Sequence, residues 1–454
     1  MPARLQRLEI PSFGRAPYPG LANHAAFQQR ITAALTAAHQ AGYTHLAVYA
    51  DREHFANLAW LTGLDPRFEE ALLILGTRET PLLLTGIECA SYLPISPLHR
   101  AGQLRSERWD EFSLQNIPRE IVRPWPDILA GEGIDSESRV GLAGWKYYQN
   151  PNALDVPHYL VEAFRATGAR VSNAAHIFVH PATGLRTLCT PEEIALFEWA
   201  NIEASEGMKS LFANLREGLT DHELARFTQF NGAPQGCHWT LKTGPNRISL
   251  ASAKGDVLRR GNTFSANICY WGANCCRAGW VAESAANLPE EARDYAETFA
   301  GPYVAALAGW FERLRIGTPG GALHEWIHSQ LPQDIFGIKL NPGHLIHLDE
   351  WPCSPIYANS DIPLKSGMLV QCDIIPSSKR YFSTRMEDTY LLADQSLQSQ
   401  LDPALLARGQ ARRAFMREQL GMKVPDEVLP LTNLPGVVQP FLLDPSQVFT
   451  LTTL

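Results

Sequence analysis

The residues Asn341-Pro342-Gly343-His344-Leu345-Ile346-His347-Leu348-Asp349-Glu350-Trp351-Pro352 bring two imidazoles and two carboxylates into one short stretch. Imidazole titrates nearest neutral pH, which makes His344 the candidate general acid or base. The Pro-Gly pair ahead of it predicts a turn opening a short strand, where the backbone is fixed and side chains can be aimed. Further on come Leu364-Lys365-Ser366-Gly367-Met368, then Asp373, then Arg385-Met386-Glu387-Asp388. Asp373 and Glu387 could grip a guanidinium, amidine or urea group, because planar N–H donors match carboxylate oxygens. The structural alternative is an ion-pair cluster, since Arg385 stands two residues from Glu387.

The order glycine-histidine, Lys-x-Gly-Met turn, carboxylate, Arg-x-Glu-Asp resembles the C-terminal half of the active site in the creatinase, prolidase and aminopeptidase P family. The resemblance implies an α/β N-terminal domain followed by an α+β pita-bread domain, a curved antiparallel sheet flanked by helices. It also implies a site built for two divalent metals about 3.5 to 4 Å apart, held by four carboxylates and one histidine. Three of those positions fall on His344, Asp373 and Glu387, the expected catalytic set. The other two are aspartates eleven residues apart in the family and fall here on Asn267 and Ala278. The family's proton-carrying histidine is also missing from Gly244 to Ser252. The chain therefore reads as a divergent member lacking most metal ligands, with no cofactor. Its expected activity is creatinase-like, metal-independent hydrolysis of a carbon–nitrogen bond in a small guanidino, ureido, amidine or amide substrate. Two alternatives stand beside it: an Xaa-Pro aminopeptidase using one unusual metal, and an inactive binding or scaffold protein.

Strand alternation aims Cys269 to the same side as Asn267, making both candidate substrate contacts. Cys269 is then a possible nucleophile or a small buried hydrophobe. Arg385, His347 and Trp351 complete the substrate-binding set within this half, and Trp271 and Trp280 flank it. Leu58-Ala59-Trp60-Leu61-Thr62-Gly63 looks like the family's N-terminal signature. The resemblance implies a homodimer in which the segment after that signature caps the partner's site, which nominates Arg67 and Phe68. A surface pair between Arg67 and Glu70 is the plainer reading. His324-Glu325-Trp326-Ile327-His328 matches the zinc-peptidase pattern, with no third ligand at a recognised spacing.

These residues need elements to position them. Residues 26 to 41 carry apolar positions at helical spacing and stop at Gly42; short apolar runs at 44–49, 71–75, 81–85 and 140–145 predict strands, and 157–168 a further helix. Thr190-Pro191-Glu192-Glu193 opens a long helix, with an N-cap, a first-turn proline and acids on the positive dipole end. The expected boundary lies just before it, dividing the chain into residues 1–186 and 187–454. At 454 residues and 45% hydrophobic the chain can bury two cores, and a net charge of −8 argues against a nucleic-acid partner. No signal-peptide core or apolar run of membrane length occurs, giving the expectation of a cytoplasmic protein without membrane partner. The 8 cysteines show no Cys-x-x-Cys spacing and read as thiols; Cys275-Cys276 belongs in or beside a hairpin.

Overall fold

A computed structural model describes residues 2–120 and 123–451. The chain divides into two compact units, residues 20–187 and residues 1–19 with 188–454. The opening residues, read from sequence as part of the first domain, cluster with the second unit: strand β1 (Arg4–Arg7) belongs there, and Arg15 pairs with Glu203 at 2.8 Å.

In the unit 20–187, helix α1 (His24–Gln40) is N-capped by Asn23, whose side chain accepts from Ala26 N–H, and buries Phe27, Ile31, Ala34 and Ala38 on one face. Strand β2 (His45–Ala50) follows, then helix α2 (Ala56–Thr62), which ends at Gly63 in the left-handed region. Strands β3 (Ala71–Leu75), β4 (Leu82–Thr85), β5 (Arg105–Arg108), β6 (Arg139–Ala143) and β7 (Arg170–Asn173) complete a sheet of order β5-β4-β3-β2-β6-β7. It is mixed, antiparallel at β2–β3–β4 and parallel elsewhere. Its central strands are buried throughout, as continuous apolar runs require.

The second unit opens with helix α3 (Pro191–Ala213), started by a full capping box: Thr190 Oγ1 accepts from Glu193 N–H and Glu193 accepts from Thr190 N–H. Strands β8 (Thr240–Gly244), β9 (Thr263–Tyr270) and β10 (Ala273–Trp280) form an antiparallel meander, and β9 and β10 are buried along their full length. Helices α4 (Gly301–Arg313) and α5 (Gly320–Gln330) precede strands β11 (His344–Leu345), β12 (Leu369–Gln371), β13 (Arg385–Glu387), β14 (Thr389–Leu392), β15 (Val428–Pro430) and β16 (Gln447–Thr450). The last pairs antiparallel with β1. Two four-stranded antiparallel sheets result, β13-β10-β9-β8 and β11-β12-β14-β15. Only Asp388 separates β13 from β14, so one stretch of chain crosses from the first sheet into the second. Among the described residues no helix is long and apolar enough to cross a membrane.

Candidate active site

The crossing between the two sheets gathers the polar groups. In β9 and β10 the register sets Cys276 opposite Asn267 and Asn274 opposite Cys269, so these four residues share one face of the hairpin. β10 in turn sets Cys276 opposite Glu387 on β13. From the second sheet β11 brings His344 opposite Gln371 of β12, with Asp373 two residues on. Gly343, which leads into β11 at φ +123°, takes a backbone conformation that strains any side chain, and a Cβ there would press to 3.0 Å on Gln371 O. The turn is further held by Trp310 Nε1 donating to Pro342 O at 2.9 Å and Ser354 Oγ donating to Gly343 O at 2.7 Å.

His344 is fully buried. Its Nδ1 lies 2.9 Å from Leu345 O, which fixes the proton on that nitrogen and leaves Nε2 facing three carboxylates. Glu350 Oε1 is 3.1 Å away, Asp373 Oδ2 3.9 Å and Glu387 Oε1 4.0 Å. The Trp351 ring stacks on the imidazole, centroids 3.9 Å apart at 16°. Two amides converge on one oxygen of Glu387: Asn274 Nδ2 at 2.8 Å and Gln371 Nε2 at 3.1 Å, while Gln371 Oε1 accepts from Thr389. The buried Oδ1 of Asp373 has no hydrogen-bond partner among the described residues. Glu350, with 20% of its side chain exposed, is the member of the cluster nearest solvent.

Crowding sets the charge states. Burial, then the charges of Asp373, Cys276 and Glu350, push Glu387 well above the usual carboxylate range. Burial raises Asp373 to about 6, although His344 and Arg385 pull it back. Burial also disfavours ionised Glu350, yet the charge and hydrogen bond of His344 outweigh that and leave it lowered. For His344 burial works downward, and Glu350 with Asp373 more than offsets it, so the imidazole is raised. Burial and mutual charge thus shift His344 and Glu387 toward their protonated forms and Glu350 toward its ionised form.

No protein-family profile matches the sequence, and no curated protein matches it. Solved structures do match its fold. A prolidase from Thermococcus sibiricus superposes with a TM-score of 0.63 at 13% identity, over 92% of this chain and 98% of its own. Dipeptidase PepE from Mycobacterium ulcerans gives 0.62 at 16% identity, over 82% and 95%. The N-terminal domain of the FACT complex subunit SPT16 from chickpea gives 0.59 at 14% identity, over 81% and 94%. The chain has the pita-bread fold. Expectation and structure agree on an α/β N-terminal part followed by a pita-bread part.

Within that pita-bread frame the structure relocates several residues. Ala278, reached by counting eleven residues from Asn267, lies in the apolar core cluster. The hairpin turns sooner, at Trp271-Gly272, and Asn274 is the residue beside Asn267, whose Nδ2 donates to Asn274 Oδ1 at 3.4 Å. Asn274, Gln371 and Glu350 carry much of the polar contact; sequence offered Glu350 only as one of two carboxylates in the His344 stretch, and Asn274 and Gln371 only through the tight turn and the alternation from Asp373 back to Gln371. Asn267 accepts from Thr240 N–H at 2.7 Å and from its hydroxyl. The dinuclear metal centre does not fit these residues. Two of the hairpin positions are neutral amides and Asn267 Oδ1 is already occupied by Thr240, so the donors fall short of two divalent ions; His344, Asp373 and Glu387, with one donor atom each within 4.8 Å of the others, could hold at most one.

Cys269 is no activated nucleophile: burial first, then its neighbour Cys237, push its thiol well up. Arg385 donates to Cys276 Sγ at 3.3 Å and neutralises charge beside Asp373 and Glu387, so it sits within the cluster. His347 diverges from His344; its Nε2 lies 3.5 Å from Glu193 and its ring packs edge-on against Phe197. Trp280 is core, against Tyr295. In the other unit Arg67 pairs with Asp65 at 2.9 Å rather than with Glu70, whose carboxylate accepts from Tyr49 and Tyr159. Phe68 is 56% exposed. His324 and His328 stack on α5 with centroids 4.3 Å apart, and no third acidic, cysteine or histidine ligand joins them among the described residues.

Proposed function

We propose that the chain hydrolyses a carbon–nitrogen bond in a small polar substrate, using imidazole–carboxylate acid–base chemistry in place of a dinuclear metal. The observation that carries this reading is the His344–Glu350 pair at 3.1 Å, with Nδ1 tied to Leu345 O and Asp373 carrying a buried, unpartnered oxygen. Leu345 O holds the imidazole through Nδ1, so Nε2, beside Glu350, is where a proton is taken up or released. Protonated Glu387 supplies a donor toward a leaving nitrogen or a carbonyl oxygen. Asp373, titrating near 6, supplies an acceptor for a planar N–H donor group, with guanidino, ureido and amidine compounds as the substrate class.

The experiment is turnover screening of those compounds and of Xaa-Pro dipeptides, with and without chelator. Chelator-insensitive release of amine or ammonia from a member of the first group is the expected result. Proline release dependent on added manganese, cobalt or zinc would overturn it.

A second reading, that the pita-bread site binds without turnover, draws on Trp351, whose ring covers one face of His344. Saturable binding of a guanidino or ureido compound, unchanged by chelator and without product, would select it. The chain is further proposed to act as a homodimer whose Arg67-Phe68 segment, following α2, caps the partner's site, as the family resemblance implies.

A further inference from the structure

A second buried cluster stands apart from the one just described. Cys189, Glu193 and His347 each offer one ligand atom, and the three atoms lie within 4.8 Å of one another. All three residues are buried, at 7%, 6% and 1% exposure. We propose that they hold a single zinc ion, a site that goes beyond the proposed hydrolysis and does not depend on it.

The three ligands are fixed by backbone rather than by chance rotamers. Cys189 directly precedes the N-cap of α3 and donates its amide to Gly367 O at 2.9 Å. Glu193 spends one oxygen on that cap, accepting from Thr190 N–H at 2.8 Å, which turns the other toward His347 Nε2 at 3.5 Å. His347 leaves the β11 segment with its amide donated to Asp349 O at 3.1 Å, and its ring is held edge-on by Phe197, one helical turn after Glu193. The hydrogen bond to the spare carboxylate oxygen orients its partner oxygen, the role that outer contacts play at metal sites.

The donor set selects the ion. Thiolate, imidazole and carboxylate suit zinc and do not suit magnesium or calcium, which take oxygen alone. Zinc–ligand bonds of about 2.0 to 2.3 Å put tetrahedral donors roughly 3.5 Å apart, so the observed spread closes with small side-chain rotations. Three protein ligands leave a fourth position for water or a ligand group. The ion would tie the start of α3 to the stretch that follows β11.

The test uses the full chain stripped with chelator and dialysed. Zinc titration by calorimetry and cobalt(II) titration by absorption are expected to give one ion per chain, with a sulfur-to-cobalt charge-transfer band. Cys189→Ser should remove that band and weaken zinc binding by at least about tenfold, while Asp373→Asn leaves both unchanged. Should Cys189→Ser fail to fold, the cobalt spectrum of the native chain still decides, because the band requires a thiolate ligand. No zinc uptake, cobalt bound without the band, or zinc lost in Asp373→Asn but kept in Cys189→Ser would each overturn the site.

Discussion

Asp373 shows how a folded structure can hold a carboxyl against its own preference. Its pKa in the folded chain is about 6, mainly through burial, against an unfolded value near 3.9. For an acid raised on folding, ionisation favours the unfolded chain, so the contribution of Asp373 to stability is greatest below pH ~4 and declines as pH rises through about 6. His344, also raised, acts in the same direction: its ion pair stabilises at low pH and is lost as pH climbs through its folded value. Asp373→Asn should therefore raise the melting temperature at pH 7 to 8 and leave it unchanged near pH 3.5, measured by calorimetric scans across pH. An equal shift at both ends would assign the effect to packing instead. Glu350→Gln should act through His344: with the 3.1 Å carboxylate gone, burial prevails and the imidazole titrates below its ordinary value. Proton NMR of the imidazole reads this directly, and an unmoved titration would remove Glu350 as its partner. Loss of turnover in the same variant is the expected functional consequence.

At the level of elements, what the sequence made legible was local. The capping residue Thr190 and the first-turn acids announced α3, and continuous apolar runs announced β2, β3 and β4, because each signal lies within the element it forms. His344, Asp373 and Glu387 were legible through their order along the chain, and the structure brings them to one point. Asn274 was not, because its place depends on how tightly β9 turns into β10, and counting a fixed spacing assumes a longer loop. The divergence of His344 from His347 agrees with strand alternation, because residues three apart face opposite ways. The hairpin register makes a sharp prediction. Changing Asn267 and Asn274 together to aspartate puts two more carboxylates beside Glu387 and should create divalent-cation uptake at this site, seen as manganese-dependent stabilisation in thermal denaturation. Placing the second aspartate at Ala278 instead sets it opposite Arg385, two residues along β10 from the position that faces Glu387, and should give no gain in manganese binding. If the Ala278→Asp combination bound manganese and the Asn274→Asp one did not, the assigned register would be wrong.

For the molecule as a whole, the question is whether one chain suffices to make a working site. The cap proposed from the partner rests on Arg67 and Phe68, which follow α2 and lie in the unit 20–187. Arg67 sits at φ +60°, an uncommon conformation for a non-glycine residue, and is held to Asp65 at 2.9 Å. That pair is over half exposed on the arginine side, so it contributes little to stability and leaves the guanidinium available to a substrate carboxylate. Arg67→Ala should then change the melting temperature by little while weakening substrate binding, whereas Glu387→Gln removes function from within the cluster. Mixing these two inactive chains discriminates the arrangements. If the cap acts in trans, one of the two sites in each mixed dimer is assembled from an intact Arg67 and an intact Glu387, and up to half of native binding per mixed dimer returns. If each chain caps itself, both sites of every mixed dimer carry a defect, and subunit exchange recovers nothing. Sedimentation to establish the dimer, followed by ligand titration of the exchanged preparation, reads the outcome.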